Sequence, residues 1–220
     1  NLKKLLQSKK MLTNVGDEGG FAPSIGSNEE ALELIVDAIE KSKLNPSKDI
    51  SICLDVAANE LLNEKGNYSI NSNSFLEPKE VINYYKKLIS KYPIKSIEDP
   101  FAEEDWKSWQ NISAEIGSKV QIVGDDLFVT NVKRLKRGIT ENSANAILVK
   151  PNQIGTLTET LNVINLAKKN NINTVISHRS GDTEDTFIAD LAVGTNSCEI
   201  KTGSLARSER DYKYNRIIKI

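Results

Sequence analysis

Short apolar segments rich in β-branched residues recur along this chain, and each ends on a charged or polar side chain. They occupy residues 49–55, 94–98, 120–125, 144–150, 173–178 and 197–201. Unbroken apolar runs of this length are typical of strands in a parallel sheet that is covered on both faces. The last residues of successive runs lie 43, 27, 25, 28 and 23 positions apart. A spacing in the twenties holds one strand and one helix, so the repeat predicts consecutive βα units.

Helical periodicity fills the intervals between these strands. Asn28 is predicted to cap a helix whose apolar face carries Leu32, Val36 and Ile39. Pro78 suits the first turn of the next helix. Further helices are predicted at residues 105–116, 131–141, 155–169, 183–193 and 208–218.

The polar strand ends distinguish two parallel-sheet architectures. An open flavodoxin-like sheet gathers functional groups near one switch point, whereas a (β/α)8 barrel builds its site from the loops after all its strands. Six consecutive strands that end in polar side chains favour the barrel. A closed barrel of this class has eight strands, so we expect an incomplete TIM barrel with about six βα units. The polar stretch at 63–75 is predicted to be a surface insertion, which leaves residues 1–220 as one barrel domain.

Composition excludes several classes of function. The net charge of −1 gives no field that would attract nucleic acid or an anionic membrane. No apolar run approaches the roughly 20 residues of a membrane span, and the Lys-rich residues 1–10 lack the core of a signal peptide. Cys53 and Cys198 lie in apolar runs and are predicted to be reduced core residues of a cytoplasmic protein. Because the chain begins with Asn1 and its single methionine is Met11, we expect it to be part of a longer protein.

Three carboxylates end three neighbouring strands. In a barrel, Asp55, Glu98 and Asp125 would meet at the mouth formed by the strand ends. Clustered like charges need a cation, and oxygen ligands favour Mg²⁺ or Mn²⁺ over zinc. The alternative is that strand-end acids cap helix N-termini, which explains a single acid more easily than three in register.

Two lysines and one glutamate are further candidates. Lys150 and Lys201 each end a buried strand, where a lysine must be paired or have a lowered pKa. One could be a base and the other could bind an anion, and the alternative is a lysine that extends to solvent at the barrel rim. Glu18 lies between glycines in residues 16–20, which permits a loop with close backbone approach to a ligand. The alternative for Glu18 is a solvated acidic turn.

A run of His178, Arg179, Ser180 and Gly181 follows a strand and precedes a predicted helix. Backbone amides, a guanidinium and a hydroxyl at a helix N-terminus form a phosphate site. A single histidine is more often structural, but this sequence context favours function. Neither GxGxxG nor GxxxxGK[ST] occurs, which argues against dinucleotide or ATP chemistry.

Seven longer motifs resemble the enolase family, in the order of that family. They are NVGDEGGFAP (14–23), CLDVAANE (53–60), SIEDPFAEEDW (96–106), VGDDLFVTN (123–131), LVKPNQIGT (148–156), SHRSGDTEDTFIADLAVGT (177–195) and IKTGSLARSER (200–210). The resemblance covers almost the whole chain and is similar to bacterial members in its details. It implies a glycolytic lyase, phosphopyruvate hydratase, which reversibly dehydrates 2-phosphoglycerate to phosphoenolpyruvate with Mg²⁺.

The resemblance also implies roles for the candidate residues. Asp55, Glu98 and Asp125 would bind the Mg²⁺ that holds the substrate carboxylate, with Glu98 and Asp125 also beside the substrate. Lys150 would contact the substrate as the base that removes the C2 proton. Glu18 would be the acid that protonates the departing C3 hydroxyl.

The remaining roles concern substrate binding. Lys201 would lie near the substrate carboxylate and would disfavour a second charge on Lys150 by repulsion. Arg179 and Ser180 would hold the phosphate, and His178 would line the pocket. Asp126 is expected to support the site without binding the ion directly.

The family's N-terminal capping domain and first barrel strands have no counterpart here, so we expect an N-terminally truncated enolase that is poorly folded or inactive alone. Members commonly form homodimers, need no nucleic acid or membrane span, and occur in the cytoplasm with possible surface or secreted pools.

An interaction protein is the alternative function. It is motivated by four basic side chains on one helix, although a solvated helix face explains them more simply: Lys133, Arg134, Lys136 and Arg137. Related racemases and sugar-acid dehydratases share the three acids but lack the His-Arg-Ser-Gly run.

Overall fold

The computed structural model describes residues 1–71, 74–197 and 199–220. The strands are β1 (Ile52–Asp55), β2 (Tyr68–Asn71), β3 (Ser74–Leu76), β4 (Ile94–Glu98), β5 (Gln121–Gly124), β6 (Ala146–Val149), β7 (Asn173–Ser177) and β8 (Glu199–Lys201). The helices are α1 (Leu2–Ser8), α2 (Asn28–Lys41), α3 (Pro78–Lys91), α4 (Trp106–Ile116), α5 (Val132–Glu141), α6 (Pro151–Ile154), α7 (Leu157–Lys169), α8 (Phe187–Gly194) and α9 (Ser208–Lys219). A 3₁₀ helix spans Ala58–Leu61. No helix in these ranges combines the length and apolar character that crossing a membrane requires.

Six parallel strands form the main sheet, in the order β1-β4-β5-β6-β7-β8. The register pairs Asp55 with Glu98, so the carboxyl ends of neighbouring strands lie side by side. No ladder joins β1 to β8 among the described residues, yet Nζ of Lys201 on β8 lies 2.7 Å from Oδ2 of Asp55 on β1. The sheet is therefore curled into a half-barrel with alternating helices. The predicted fold, an incomplete α/β barrel, is confirmed.

The two faces of the curled sheet bury separate apolar clusters. On β6, all four side chains are buried, because Ile147 and Val149 pack toward the outer helices while Ala146 and Leu148 belong to a second cluster on the opposite face. Val123 and Val175 from neighbouring strands complete this inner cluster. Burial on both faces explains why the sequence shows continuous apolar runs rather than alternation.

Local capping chemistry sets most helix starts. Pro78 is the first residue of α3, and Asp105 caps α4 through its side chain. The predicted cap of α2 was wrong by one residue, because Ser27 accepts the capping hydrogen bond. Asn28 is the first helical residue, and its side-chain amide, Nδ2, donates to the carbonyl of Ile70 instead.

The helix predicted at 183–193 begins later, at Phe187. The preceding residues form a turn in which side-chain oxygens take up the backbone amides. Asp182 accepts from the N–H of Thr183 at 2.7 Å, and Asp185 accepts from the N–H of Phe187 at 2.8 Å. Such local bonds compete with helix formation.

The polar stretch at 63–75 was predicted to be a surface insertion, and it lies outside the main sheet, although part of it is buried. It forms the β2–β3 hairpin, with residues 72 and 73 outside the described set. Tyr68 is fully buried; its hydroxyl donates to Oδ2 of Asp105 at 2.8 Å and accepts from the N–H of Ala102 at 3.2 Å. The hairpin is thus tied to the loop that leads into α4.

The cysteine prediction fails for Cys53, which is exposed. Cys53 lies on β1, whose other edge pairs with no strand in the described ranges, and it lines the cavity inside the curled sheet. An inward-facing residue on an open barrel edge has no wall opposite to cover it. Cys198 lies outside the described residues.

Candidate functional site

Asp55, Glu98 and Lys201 meet at the open mouth of the half-barrel. The parallel register sets the two acids side by side, and Nζ of Lys201 lies 2.7 Å from Oδ2 of Asp55 and 2.8 Å from Oε1 of Glu98. Burial raises the pKa of Glu98 to about 7, against the opposing effect of the Lys201 charge. Burial lowers the pKa of Lys201, but the two carboxylates outweigh it and the net shift is upward.

Asp125 and Lys150 form the second ion pair of the mouth. Nζ of Lys150 lies 2.5 Å from Oδ2 of Asp125, and burial raises the pKa of Asp125 despite this partner. The backbone N–H of Lys150 donates to Oγ1 of Thr130 at 2.9 Å, which fixes where the lysine leaves the strand. Oδ1 of Asp125 is buried without a hydrogen-bond partner in the described structure.

Asp99 supports this part of the mouth and was missed by the sequence analysis. Its two carboxylate oxygens accept the backbone N–H groups of Asp125 and Asp126, each at 2.9 Å, so it shapes the turn that presents Asp125. Burial raises the pKa of Asp99 to about 8. Asn59 donates to Oδ2 of Asp126 at 2.9 Å.

The acids whose oxygens lie closest together differ from the predicted trio. Within the described residues, a group of three carboxylates with ligand atoms within 4.8 Å of one another is Asp99, Asp125 and Asp126. Asp55 and Glu98 instead share Lys201. Lys150 and Lys201 thus place positive charge beside Asp125, Asp55 and Glu98.

Glu18 lies on a loop that closes over the side of the mouth. A bridge between Val15 and Phe21 closes the base of this loop, and Gly19 takes a φ of +82° that glycine adopts without strain. The N–H of Ser204 donates to the carbonyl of Glu18 at 2.8 Å. Gly203 approaches so closely that an added Cβ would lie 2.9 Å from that same carbonyl oxygen.

His178 faces Glu18 from the end of β7. Its Nε2 lies 3.2 Å from Oε2 of Glu18, although the two are not aligned as a hydrogen bond. On the other side of the ring, Nδ1 lies 2.7 Å from Nη1 of Arg210. Burial lowers the pKa of His178, so the imidazole is neutral at neutral pH.

Arg179 and Ser180 are exposed beside His178. Nη1 of Arg179 donates to Oδ1 of Asn152 at 3.3 Å, which directs the guanidinium toward the loop after β6. The expected helix N-terminus is absent, because α8 begins only at Phe187. The guanidinium and hydroxyl remain available to an anion, but without a helix terminus behind them.

A cavity of about 430 Å³ lies at the mouth, and Glu18, Asp55, Glu98 and Lys201 are among its lining residues. The structure therefore brings Asp55, Glu98, Lys201 and Glu18 to one cavity. Asp125, Lys150 and His178 are not among its lining residues; Lys150 pairs with Asp125, and His178 lies against Glu18. Arg210 and Gly203 escaped prediction although both stand in the motif at 200–210, since no local pattern marks a buried arginine or a close loop contact.

The fold and site define a class of protein, the α/β barrels with paired acids and lysines at the carboxyl ends of their strands. The family model for "Enolase, C-terminal TIM barrel domain" matches residues 1–220. The chain belongs to the enolase family.

Individual relatives agree with this assignment. Enolase of Pelagibacter ubique strain HTCC1062 is 61% identical over 220 residues, which are all of this chain and 52% of that protein. Enolases of Wolinella succinogenes and Ehrlichia chaffeensis are 52% and 56% identical, with the same coverage. The chain thus spans about half the length of the curated relatives that it matches. Enolases depend on metal, and the group of Asp99, Asp125 and Asp126 could hold an ion.

Proposed function

We propose that a complete enolase polypeptide carrying residues 1–220 as its barrel interconverts 2-phosphoglycerate and phosphoenolpyruvate. The observation that carries this proposal is the cavity that joins Glu18, Asp55, Glu98 and Lys201. An elimination of water needs a base for the C2 proton, an acid for the C3 hydroxyl, and positive charge near the carboxylate. The candidate residues offer each of these groups around one mouth.

The donor set fits a hard divalent cation. Asp125 has a buried carboxylate oxygen, Oδ1, without a hydrogen-bond partner in the described structure, and the charges of Asp55 and Asp125 raise the pKa of Glu98 further, beyond the effect of its burial. Oxygen-only ligands favour Mg²⁺. We propose that Asp55, Glu98 and Asp125 hold it, in preference to Asp99, whose two oxygens already accept backbone amides. When bound, Mg²⁺ would stabilise negative charge on the substrate carboxylate.

Lys150 is proposed as the base that takes the C2 proton. It enters the mouth from the end of β6, held at its backbone by Thr130 and at its Nζ by Asp125. A lysine accepts a proton only when its amine is neutral. Lys201 would bind the substrate carboxylate, where charge accumulates as the proton leaves.

Glu18 is proposed as the acid on the opposite side. Hydroxide is a poor leaving group, so the C3 hydroxyl must receive a proton as its bond to carbon breaks. His178 lies against one oxygen of Glu18, which leaves the other for the transferred proton. The exposed Arg179 and Ser180 would bind the phosphate.

The test is an assay for phosphoenolpyruvate formation from 2-phosphoglycerate, with Mg²⁺, after chelation, and after Mg²⁺ is restored. We expect turnover that disappears with chelator and returns with the ion. Lys150→Ala should lower kcat by at least about 10²-fold, since the loss of a general base has that effect. Lys136→Ala is the matched control, because Lys136 is exposed on α5. No turnover by the complete polypeptide would refute the proposal.

The remaining features of the whole protein are proposals of the same kind. We place it in the cytoplasm as a homodimer, with no need for nucleic acid. The alternative role as a surface or RNA-decay interaction protein gains no support from α5, because Arg134 pairs with Glu104 and Arg137 pairs with Glu141. The guanidinium groups of Arg134 and Arg137 are therefore already engaged in ion pairs within the chain.

A further inference from the structure

Arg210 contacts two loops of the site, the Glu18 loop and the loop after β7. It lies on α9 with 1% of its surface exposed. Nη2 donates to the carbonyls of Asp17 at 3.2 Å and Ser180 at 2.7 Å. Nη1 donates to the carbonyl of Arg179 at 2.8 Å and contacts Nδ1 of His178 at 2.7 Å. The side chain therefore ties the Glu18 loop to the loop after β7.

The charge of Arg210 has little direct compensation. The carboxylate oxygens nearest to it are those of Asp182 at 3.8 Å and Glu209 at 3.9 Å. Burying a guanidinium among neutral acceptors is costly unless its donors are used. A guanidinium has five N–H donors; in Arg210 three of them bind carbonyls and another contact goes to an imidazole nitrogen, while Nε has no hydrogen-bond partner in the described structure.

The contact with His178 fixes the ring's protonation pattern. Arginine has donors but no acceptor and stays charged, so Nδ1 of His178 must be the acceptor. The proton of a neutral imidazole then resides on Nε2, the atom 3.2 Å from Oε2 of Glu18. The charged and titratable groups that act on this ring are Glu18, Arg210, Lys201 and Asp182.

We propose that Arg210 is a positioning residue that holds His178 in its Nε2–H tautomer and so presents a donor to Glu18. The inference rests on the proposed function for its catalytic consequence, since Glu18 is the proposed acid. The Nε2–H lies near Oε2 without being aligned as a hydrogen bond to it, so Oε1 is the oxygen of Glu18 that is free of this neighbour and can carry the proton. The same guanidinium sets the distance between the two loops, so ring tautomer and loop position depend on one side chain.

The test combines NMR and kinetics on the complete enolase polypeptide carrying residues 1–220. Histidine labelled with ¹⁵N reports the tautomer, and a His178→Asn variant assigns the signal by difference. Arg210→Met removes donors and charge, whereas Arg210→Lys keeps the charge and has three donors on one nitrogen in place of the five-donor guanidinium. Lys213→Met is the matched control, because Lys213 is another cation on α9 with 1% exposure that contacts Thr183, Asp182 and Glu209 rather than His178.

We expect the wild-type signal to show the neutral Nε2–H form at neutral pH. Arg210→Met should lose this signature and raise the pH at which His178 titrates, because a positive neighbour is gone. Its kcat should fall by about 10- to 100-fold, the usual effect of losing an outer positioning partner, with a smaller change in KM. Compared with Arg210→Met, Arg210→Lys should retain more of the Nε2–H signature and more of the kcat. Lys213→Met should leave the tautomer unchanged.

An Nδ1–H or doubly protonated His178 in the wild type would overturn the inference without any variant, even if Arg210→Met does not fold. Retention of the Nε2–H signature in a folded Arg210→Met protein, or a kcat equal to that of Lys213→Met, would also overturn it. The tautomer is read without substrate. A wild-type protein with the Nε2–H signature but no turnover would therefore refute the proposed function and leave the tautomer assignment standing.

Discussion

Gly203 is the residue at which the Glu18 loop and α9 come closest. Its φ is +83°, and an added Cβ would lie 2.8 Å from Cδ of Arg210 and 2.9 Å from the carbonyl oxygen of Glu18. We predict that Gly203→Ala lowers the free energy of unfolding by about 2–4 kcal/mol, through backbone strain and overpacking together, and lowers kcat because the Glu18 loop must move. Denaturant unfolding and the turnover assay measure the two effects.

Gly66→Ala is the control for that substitution. Gly66 has a φ of +79° but no atom within 4 Å of its added Cβ. Gly66→Ala should therefore lower the free energy of unfolding only by the backbone strain, about 1–2 kcal/mol, and should leave kcat unchanged. Equal losses of stability and activity in the two variants would show that the close approach at Gly203 is unimportant.

Because the pKa of His178 is lowered in the folded protein, the free energy of unfolding falls as the solution becomes more acidic. Burial lowers its folded-state pKa below the ordinary value of 6.5, so the unfolded chain binds the proton first as the pH falls. The free energy of unfolding contributed at this site is complete above pH 6.5 and declines as the pH drops from there toward the folded-state pKa. We predict a steeper decline for the wild type than for His178→Gln, measured by denaturant unfolding between pH 7.5 and about 5. Parallel curves would contradict the lowered pKa.

The candidate residues at strand ends could be predicted because the signal is local. Asp55, Glu98 and Lys201 are the last residues of β1, β4 and β8, so an apolar run followed by a polar residue identified them. Arg210 could not be predicted in this way. Its bond to Asp17 spans 193 residues, and no local pattern encodes which distant carbonyls a side chain will meet.

At the scale of elements, one buried hydroxyl, that of Tyr68, helps to anchor the β2–β3 hairpin. Tyr68→Phe would leave the N–H of Ala102 and the carboxylate of Asp105 without this partner. We predict a loss of about 1–3 kcal/mol in the free energy of unfolding, the cost of an unsatisfied buried group. Tyr212→Phe is the control, because Tyr212 is 47% exposed and should change stability by less than about 0.5 kcal/mol. An equal effect in denaturant unfolding of both variants would remove the hairpin's proposed anchoring role.

Strands and helices differed in how well the sequence predicted them. The run at 94–98 matches β4 at both ends, because Ile94 and Ile97 mark a short buried segment that ends on the acid Glu98. The burial of Tyr68 within the stretch at 63–75 was not predicted, because the composition of the stretch is polar and the contact of Tyr68 with the loop before α4 is long-range. The start of α8 was misplaced because Asp182 and Asp185 bind backbone amides outside a helix.

At the scale of the whole molecule, the half-barrel leaves inward-facing groups uncovered. The side chain of Asp55 is 46% exposed, Cys53 is exposed, and β1 has a partner on one side only among the described strands. Unpaired strand edges and uncovered barrel walls favour association and loose packing. We predict that residues 1–220 expressed alone bind a hydrophobic dye and show little turnover. A cooperative thermal transition with turnover equal to that of the complete polypeptide would contradict this.

The central claim is that Lys150 and Glu18 perform separate proton transfers at one mouth. The direct measurement is exchange of the C2 proton of 2-phosphoglycerate in D₂O, followed by NMR together with phosphoenolpyruvate formation, in a complete enolase polypeptide carrying residues 1–220. We predict that Glu18→Gln exchanges the C2 proton without forming product, and that Lys150→Ala does neither. Exchange by Lys150→Ala at the wild-type rate would contradict the assignment of the base, and with it the account of the site.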